Sequence, residues 1–400
     1  MSDKTITFDD VIAPLTGERF LSEFWAKTFL HQAGPKGRFT PLLPWEDLNA
    51  ILKWHCPPQP QLRLSLNGKP IDVRRYIDGS VGALKLNAGG LIASLSQGAS
   101  LILDKVQEVA PRVSQLAELL QDVFQGPMSV NLYAGWRKQN GFDLHWDVAD
   151  LLVLQLSGRK RWKVYRPTRP YPLTNDIETA PKPTEQPVFD GIINDGDMLH
   201  VPRGWWHMAY PLDEPSLHLT FGIESPHGVD FVRWWTQKML RHPEIRMNLP
   251  QEGDVTAQRK FLANVLKFME DGLEGDRVGE FLREQKATRR MPPRVRLPVA
   301  PIEQHQQWTM ATRIRLATSH SVSANIEGDG PLTEFRSGTH TWSSRRELVP
   351  VFELLTGHTS VALQDLCSRI HDKQLINALM SALEQLADAG VIFKEAPPAS

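Results

Sequence analysis

Two histidines, one aspartate and one lysine carry the chemistry that can be read in this sequence. In FDLHWDVADLLVLQLSGRKRWKVYRP, residues 142–167, His145 and Asp147 stand two apart at the head of a run with the apolar density of a buried strand. Residues i and i+2 of a strand project from one face, so imidazole and carboxylate are expected to point together into whatever that face lines. Charge on an inner face is costly without a partner, and this pair makes half of a divalent-metal site. The passage DGDMLHVPRGWWH supplies a third ligand, His207. Two histidines and a carboxylate on one face of an octahedron leave the other positions open, the arrangement of non-haem Fe(II) oxygenases.

Those open positions call for a second substrate that chelates iron. 2-Oxoglutarate does so through its 2-oxo acid end, and its distal carboxylate then needs a cation. After the turn at Gly158, strand parity places Lys160, Trp162 and Val164 on one face and Arg159, Arg161 and Lys163 on the other. The face with tryptophan and valine should be buried, so Lys160 is expected to point inward, where a ligand carboxylate would pair with it. Blander readings compete. A single histidine in a strand, such as His200, His218 or His227, is usually a satisfied core or surface residue. Lys160 could instead snorkel within a basic cluster, and Trp205 and Trp206 fit packing around the metal turn better than a stacking platform.

The elements that must hold these residues follow from texture. TGERFLSEFWAKTFL reads as a helix capped by Thr16, with Phe20, Phe24 and Leu30 near helical spacing, and PWEDLNAIL opens a second helix with proline. Residues 108–125 carry Val113, Leu116, Leu119, Leu120 and Phe124 on one helical face. From about 127 to 225 short β-rich runs alternate with glycine and proline turns and no helix intervenes, which predicts an antiparallel sandwich or barrel of jelly-roll type. Helical texture returns over 229–290, a proline- and arginine-rich hinge follows at 291–301, and the last hundred residues read as three short amphipathic helices with a strand-like VIF, suggesting a winged helix.

The chain has 400 residues, enough for two or three domains, with 41% hydrophobic and 23% charged residues and a formal charge of −1. That balance argues against nucleic-acid binding over the whole chain, although RKRWK and RRMPPRVR are candidate local patches. The two cysteines, Cys56 and Cys367, have neither metal-ligand nor disulfide-framework spacing. The opening MSDKTITFDD lacks the basic and apolar regions of a signal peptide, and no run is apolar enough to span a membrane. A cytoplasmic protein is expected.

HWD, the downstream GDMLHVPRGWWH, the LQLSGRKRWKVYRP block between them and SLHLTFG after them together resemble the JmjC-type cupin oxygenases, in particular the ribosomal oxygenase subgroup. The resemblance implies an α+β chain: an N-terminal JmjC double-stranded β-helix (jelly-roll) domain with a helical collar over 1–226, a helical dimerisation region over 227–295 and a C-terminal winged-helix domain over 296–400. It implies Fe(II), with 2-oxoglutarate and O2 as cosubstrates. The family's metal triad falls on His145, Asp147 and His207, and its cosubstrate anchor on Lys160. Asn131 and Tyr133 of NLY, and His218 and Thr220 of SLHLT, would border the cosubstrate or the substrate. The activity implied is hydroxylation of an amino-acid side chain, an arginine or histidine of a ribosomal protein, by a homodimer. Direct nucleic-acid binding is the less favoured partner reading, and no membrane is expected. Residues 60–100 and 168–192 match no substrate-recognition pattern. Two rivals share the core: a tailoring hydroxylase of a peptide natural product, and a non-catalytic cupin-like scaffold. A third, a metal-dependent cupin isomerase or decarboxylase, would have no use for an inward Lys160.

Overall fold

A computed structural model describes residues 6–54, 61–79, 85–139, 141–174, 176, 180–273, 275–288, 308–317, 322–325, 330–337, 340–355 and 360–395. The hinge at 291–301, the RRMPPRVR patch and Cys56 lie outside them. The chain forms two compact units, 1–225 and 226–400.

The first unit opens with α1 (Phe8–Ile12) and α2 (Gly17–Glu23), the latter capped by the Thr16 side chain. The helical reading through Leu30 overruns: Trp25 N–H turns back to the Phe20 carbonyl, Ala26 takes a positive φ of 54°, and Leu30–Gln32 forms strand β1. Leu30 pairs with His200, a partner that no local pattern can announce. Then come α3 (Trp45–Trp54), β2 (Leu62–Leu66), β3 (Lys69–Pro70), the small β4 (Ile77–Asp78) and β5 (Lys85–Leu86) pair, α4 (Ala88–Ser96), β6 (Ser100–Leu103) and α5 (Pro111–Phe124). The strand-rich stretch gives β7 (Met128–Gly135), β8 (Asp150–Ser157), β9 (Lys160–Tyr165), β10 (Phe189–Ile193), β11 (Met198–Val201), β12 (Trp206–Pro211) and β13 (Ser216–Ile223).

These strands pair antiparallel into two sheets, an eight-stranded one of order β1-β11-β8-β13-β7-β6-β2-β3 and a three-stranded one of order β10-β9-β12. Side chains from both pack together: Leu151, Val153, Leu199 and Val201 of the larger sheet meet Trp162, Val164 and Ile193 of the smaller. The antiparallel two-sheet arrangement is the one the texture predicts. Central β8 is buried over seven of its eight residues, as a strand covered on both faces must be. Strand β9 alternates buried and half-buried from Lys160 onward. Its parity is set by Gly158, whose φ is +66° and where an added Cβ would lie 1.9 Å from the Pro215 carbonyl oxygen, so the turn between β8 and β9 requires glycine.

The second unit contains α6 (Gly228–Met239), α7 (Pro243–Arg246), α8 (Val255–Gly272) and α9 (Arg277–Thr288). Its remainder is less helical than the sequence suggests. Strands β14 (Arg313–Leu316), β15 (Ser323–Asn325), β16 (Leu332–Ser337) and β17 (His340–Arg345) precede α10 (Val349–Phe352). The expected helix across SSRRELVPVFELLTG begins as strand over residues 343–345 and is α-helical over Val349–Phe352. Beyond it lie β18 (Val361–Ala362), α11 (Leu363–Cys367), α12 (Lys373–Asp388) and β19 (Ile392–Glu395). Two three-stranded sheets, β18-β14-β19 and β15-β16-β17, result. The VIF strand forms because Ile392 pairs with Leu316 across the sheet.

Candidate metal centre

His145 and Asp147 do not sit on a strand, which corrects the expectation from i, i+2 geometry. They lie in the loop before β8, and backbone bonds to distant segments hold each one. His145 and His207 exchange N–H···O=C bonds of 3.2 and 2.7 Å as an isolated bridge. The Asp147 carbonyl accepts the Gly204 N–H at 2.9 Å. Gly204 has a φ of +81°, and a Cβ there would meet Pro172 Cδ at 2.6 Å. The loop is therefore stitched to the VPRGWW turn and to the head of β12, and this stitching, rather than a shared strand face, brings the three side chains together.

One ligand atom from each of His145, Asp147 and His207 lies within 4.8 Å of the others, with His207 Nε2 at 3.5 Å from Asp147 Oδ2. Each imidazole is oriented by its own backbone. His145 Nδ1 lies 2.8 Å from the Asp143 carbonyl oxygen and His207 Nδ1 3.1 Å from that of Trp205. A carbonyl only accepts, so both Nδ1 atoms carry the proton and both Nε2 lone pairs are free to bind a cation. Burial, followed by repulsion from His145, lowers the His207 pKa to about 4 against the opposing pull of Asp147, which keeps the ring neutral near pH 7. His207 is buried while the Asp147 side chain is 42% exposed, so the cluster is open on the aspartate side. Two imidazole nitrogens and a carboxylate oxygen suit Fe(II) and similar divalent ions.

An unbroken run of contacts leads inward. The His207 ring stacks against Trp162 (6.0 Å between centroids, 24°), Trp162 meets His218 edge-on (5.8 Å, 77°), and His218 stacks on Tyr133 (4.9 Å, 10°). The Lys160 ammonium sits 5.9 Å from the Tyr133 ring centre. Lys160 is 8% exposed, and its ammonium has no hydrogen bond or ion pair among the described residues. Burial lowers its pKa to about 7. Beside it, burial and the lysine's charge push His218 well below the ordinary histidine range, and its Nδ1 is buried without a hydrogen-bond partner. An inward cation without an anion, among aromatic walls, fits the distal carboxylate of a dicarboxylate ligand.

Of the flanking candidates, Tyr133 and His218 face each other in the β7–β13 register and belong to this run. Asn131 and Thr220 form the next pair along; Asn131 accepts the Lys105 N–H at 3.2 Å and bonds the Tyr133 side chain. Burial, ahead of the charge of Asp147, pushes the Tyr133 hydroxyl up to about 12. His200 is a core histidine: it is fully buried between Phe20 and Trp25, and its Nδ1 lies 3.1 Å from the Leu151 carbonyl oxygen. Trp205 and Trp206 pack as expected, Trp205 within the intersheet core and Trp206 through an Nε1–H···Oγ1 bond to Thr168. Two participants escaped the sequence reading. Gly204 bonds the loop of Asp147, and only its place before the paired tryptophans hints at it. Trp162 links His207 to His218; parity had set it on the inward face, but as filling alone.

Residues 103–231 match the family model described as JmjC domain. Over 220 residues the chain is 30% identical to a bifunctional lysine-specific demethylase and histidyl-hydroxylase NO66 of Drosophila persimilis, covering 54% of this chain and 31% of that protein. Over 222 residues it is 32% identical to ribosomal oxygenase 1 of Rattus norvegicus, covering 53% and 36%. The alignments thus span about a third of the length of these relatives. The crystal structure of Escherichia coli ribosomal oxygenase YcfD superposes with a TM-score of 0.58 at 15% identity, covering 95% of this chain and 98% of that one. A structure of the same protein in complex with cobalt and 2-oxoglutarate also gives 0.58, covering 96% and 99%. At this identity the likeness concerns the fold.

Proposed function

We propose, from the premise that residues 103–231 form a JmjC domain, that this chain is an Fe(II)- and 2-oxoglutarate-dependent oxygenase that hydroxylates an amino-acid side chain of a protein. One observation carries the reading: three ligand atoms of the types iron takes converge within 4.8 Å, their imidazoles held in the ligating tautomer, and a run of ring contacts leads from them to a buried lysine that has no anion among the described residues. His145, Asp147 and His207 hold the metal, and Lys160 fixes the distal carboxylate of 2-oxoglutarate, with Tyr133 and His218 walling that pocket and Asn131 and Thr220 bordering it. Bound iron supplies the oxidising chemistry that splits 2-oxoglutarate into succinate and CO2 as one oxygen atom enters the substrate. The protein's part is to orient both imidazoles, keep His207 neutral and exclude water around Lys160. A scaffold with a dispensable cluster has no need for the backbone bonds that aim both Nε2 atoms at one point.

The substrate we propose is an arginine or histidine of a ribosomal protein, in keeping with the relatives named ribosomal oxygenase and histidyl-hydroxylase. We further propose that the second unit divides near residue 295 into a dimerisation region and a winged-helix domain. Val255, Leu262, Leu266 and Leu273, along α8 and its C-cap, are 55, 58, 61 and 41% exposed at intervals of one and two turns, an apolar stripe suited to a second copy. Among the described residues no helix is long and apolar enough to cross a membrane; a cytoplasmic site of action belongs to the proposal.

The test is succinate formation from 2-oxoglutarate by purified protein under air, with and without Fe(II), in the presence of ribosomal proteins examined by mass spectrometry. Iron-dependent succinate and one added oxygen atom on a histidine or arginine are expected. Absence of turnover together with absence of 2-oxoglutarate binding to metal-loaded protein would sink the oxygenase reading.

A further inference from the structure

The buried run of side chains inward of the metal ligands holds more donors than Lys160. Trp162 follows Lys160 on the inward face of β9, is 4% exposed, and its indole Nε1–H is buried with no acceptor. A buried indole N–H normally finds a partner. The rings around it offer none: His207 on one side, His218 on the other, and beyond it Tyr133 under the Lys160 ammonium. Trp235, Trp308 and Trp342 also have unbonded buried indole N–H groups, but the cations over the first two rings, Arg277 and Lys394, have partners of their own, and Trp342 packs against the rings of Phe335, His340 and Phe352. Only at Trp162, among the described residues, does such an N–H share a strand face with a buried, unpaired ammonium. A carboxylate has two oxygens and about four acceptor positions, more than one ammonium satisfies.

We propose that Trp162 is a further binding residue for the dicarboxylate cosubstrate, its Nε1–H donating to the same distal carboxylate that Lys160 neutralises. The proposal rests on the oxygenase reading above and adds a residue to it. Lysine contributes the charge and the indole a fixed direction, because Trp162 is wedged between two imidazoles while a lysine ammonium rotates freely. The same ring buttresses His207, so one residue touches both the metal ligand and the anchor pocket.

The experiment uses full-length protein loaded with Zn(II), which is diamagnetic, with 15N-indole-labelled tryptophan. Trp162→Phe, which keeps an aromatic ring against His207, identifies the Trp162 indole resonance by its loss; substitution of Co(II), which shifts protons near the metal, identifies it independently if that variant does not fold. Titration with 2-oxoglutarate should move this proton downfield, whereas pyruvate, a 2-oxo acid without the distal carboxylate, should leave its chemical shift nearly unchanged. By calorimetry, Trp162→Phe should weaken 2-oxoglutarate binding by about tenfold or more, as loss of a hydrogen bond to a charged group does, and leave pyruvate binding within about twofold. An indole proton that 2-oxoglutarate does not move, or equal weakening of both ligands, overturns the assignment of Trp162 while leaving the oxygenase reading intact. Failure of the wild-type protein to bind 2-oxoglutarate overturns both.

Discussion

The metal cluster and the buried run of side chains that leads from it to Lys160 are built on opposite principles. At the metal end, His145 and Asp147 come from a loop, the site is open beside Asp147, and orientation depends on backbone bonds: two Nδ1 groups to carbonyls, a histidine–histidine bridge and Gly204 to Asp147. At the deep end, Lys160 and Trp162 come from one strand, both are buried, and orientation depends on alternation and aromatic contact, with donors left unsatisfied. A cation ligand set must converge from several directions, which a loop folded back on a turn achieves and a single strand face does not. An anion pocket needs low dielectric and donors in excess, which the space between two sheets supplies.

The largest expected effect strikes the open end. Asp147→Ala removes the sole carboxylate of the cluster, and Fe(II) affinity and iron-dependent succinate formation should each fall by more than about a hundredfold, beyond what loss of a supporting bond produces. Folding should be little disturbed, since the side chain is 42% exposed. A fully active variant would break the metal half of the comparison.

Lys160→Met should do the reverse, weakening 2-oxoglutarate by about a hundredfold and leaving metal affinity within about twofold, both by calorimetry. pH sharpens the distinction. The Lys160 pKa is lowered to about 7 from 10.5 in the ligand-free fold, so the unfolded chain binds more protons between those values and stability should rise with pH across that window. Ligand binding needs the ammonium, so 2-oxoglutarate affinity should fall as pH rises above 7. Both slopes should be absent from Lys160→Met, and a slope that survives would show that another group titrates.

Gly204→Ala tests whether the metal end depends on backbone stitching. With φ at +81° and Pro172 Cδ 2.6 Å from the new Cβ, the substitution should cost about 1–3 kcal/mol in denaturant unfolding and weaken Fe(II) by about tenfold with little effect on the deep pocket. The smallest effect on the site is expected from His200→Gln. This buried histidine has its pKa lowered to about 4 by burial, so it contributes stability that is lost as pH falls from about 6.5 toward 4. The variant should be less stable by about 1–2 kcal/mol, with metal and 2-oxoglutarate affinities unchanged. A change in either affinity would mean that His200 is no mere core residue.

Residue types and order in the sequence fix much of this. The antiparallel run from Met128 to Ile223 is legible because β-rich segments alternate with glycine and proline turns, and the inward Lys160 because alternation in KRWKVY is strict once Gly158 ends the preceding strand. His145, Asp147 and His207 are recognisable as a set from their chemistry and spacing. Tertiary structure alone decides how they meet. HWD is apolar enough at its edges to pass for the start of a strand, yet its backbone bonds are taken by His207 and Gly204, dozens of residues away in sequence. The same holds for β1, which forms because β11 offers an edge, and for β14, whose partners β18 and β19 lie far down the chain. The unbonded indole of Trp162 is likewise invisible in sequence. Local propensity and alternation are written residue by residue, whereas the pairing of a loop or an edge strand depends on which distant backbone groups are left to bond.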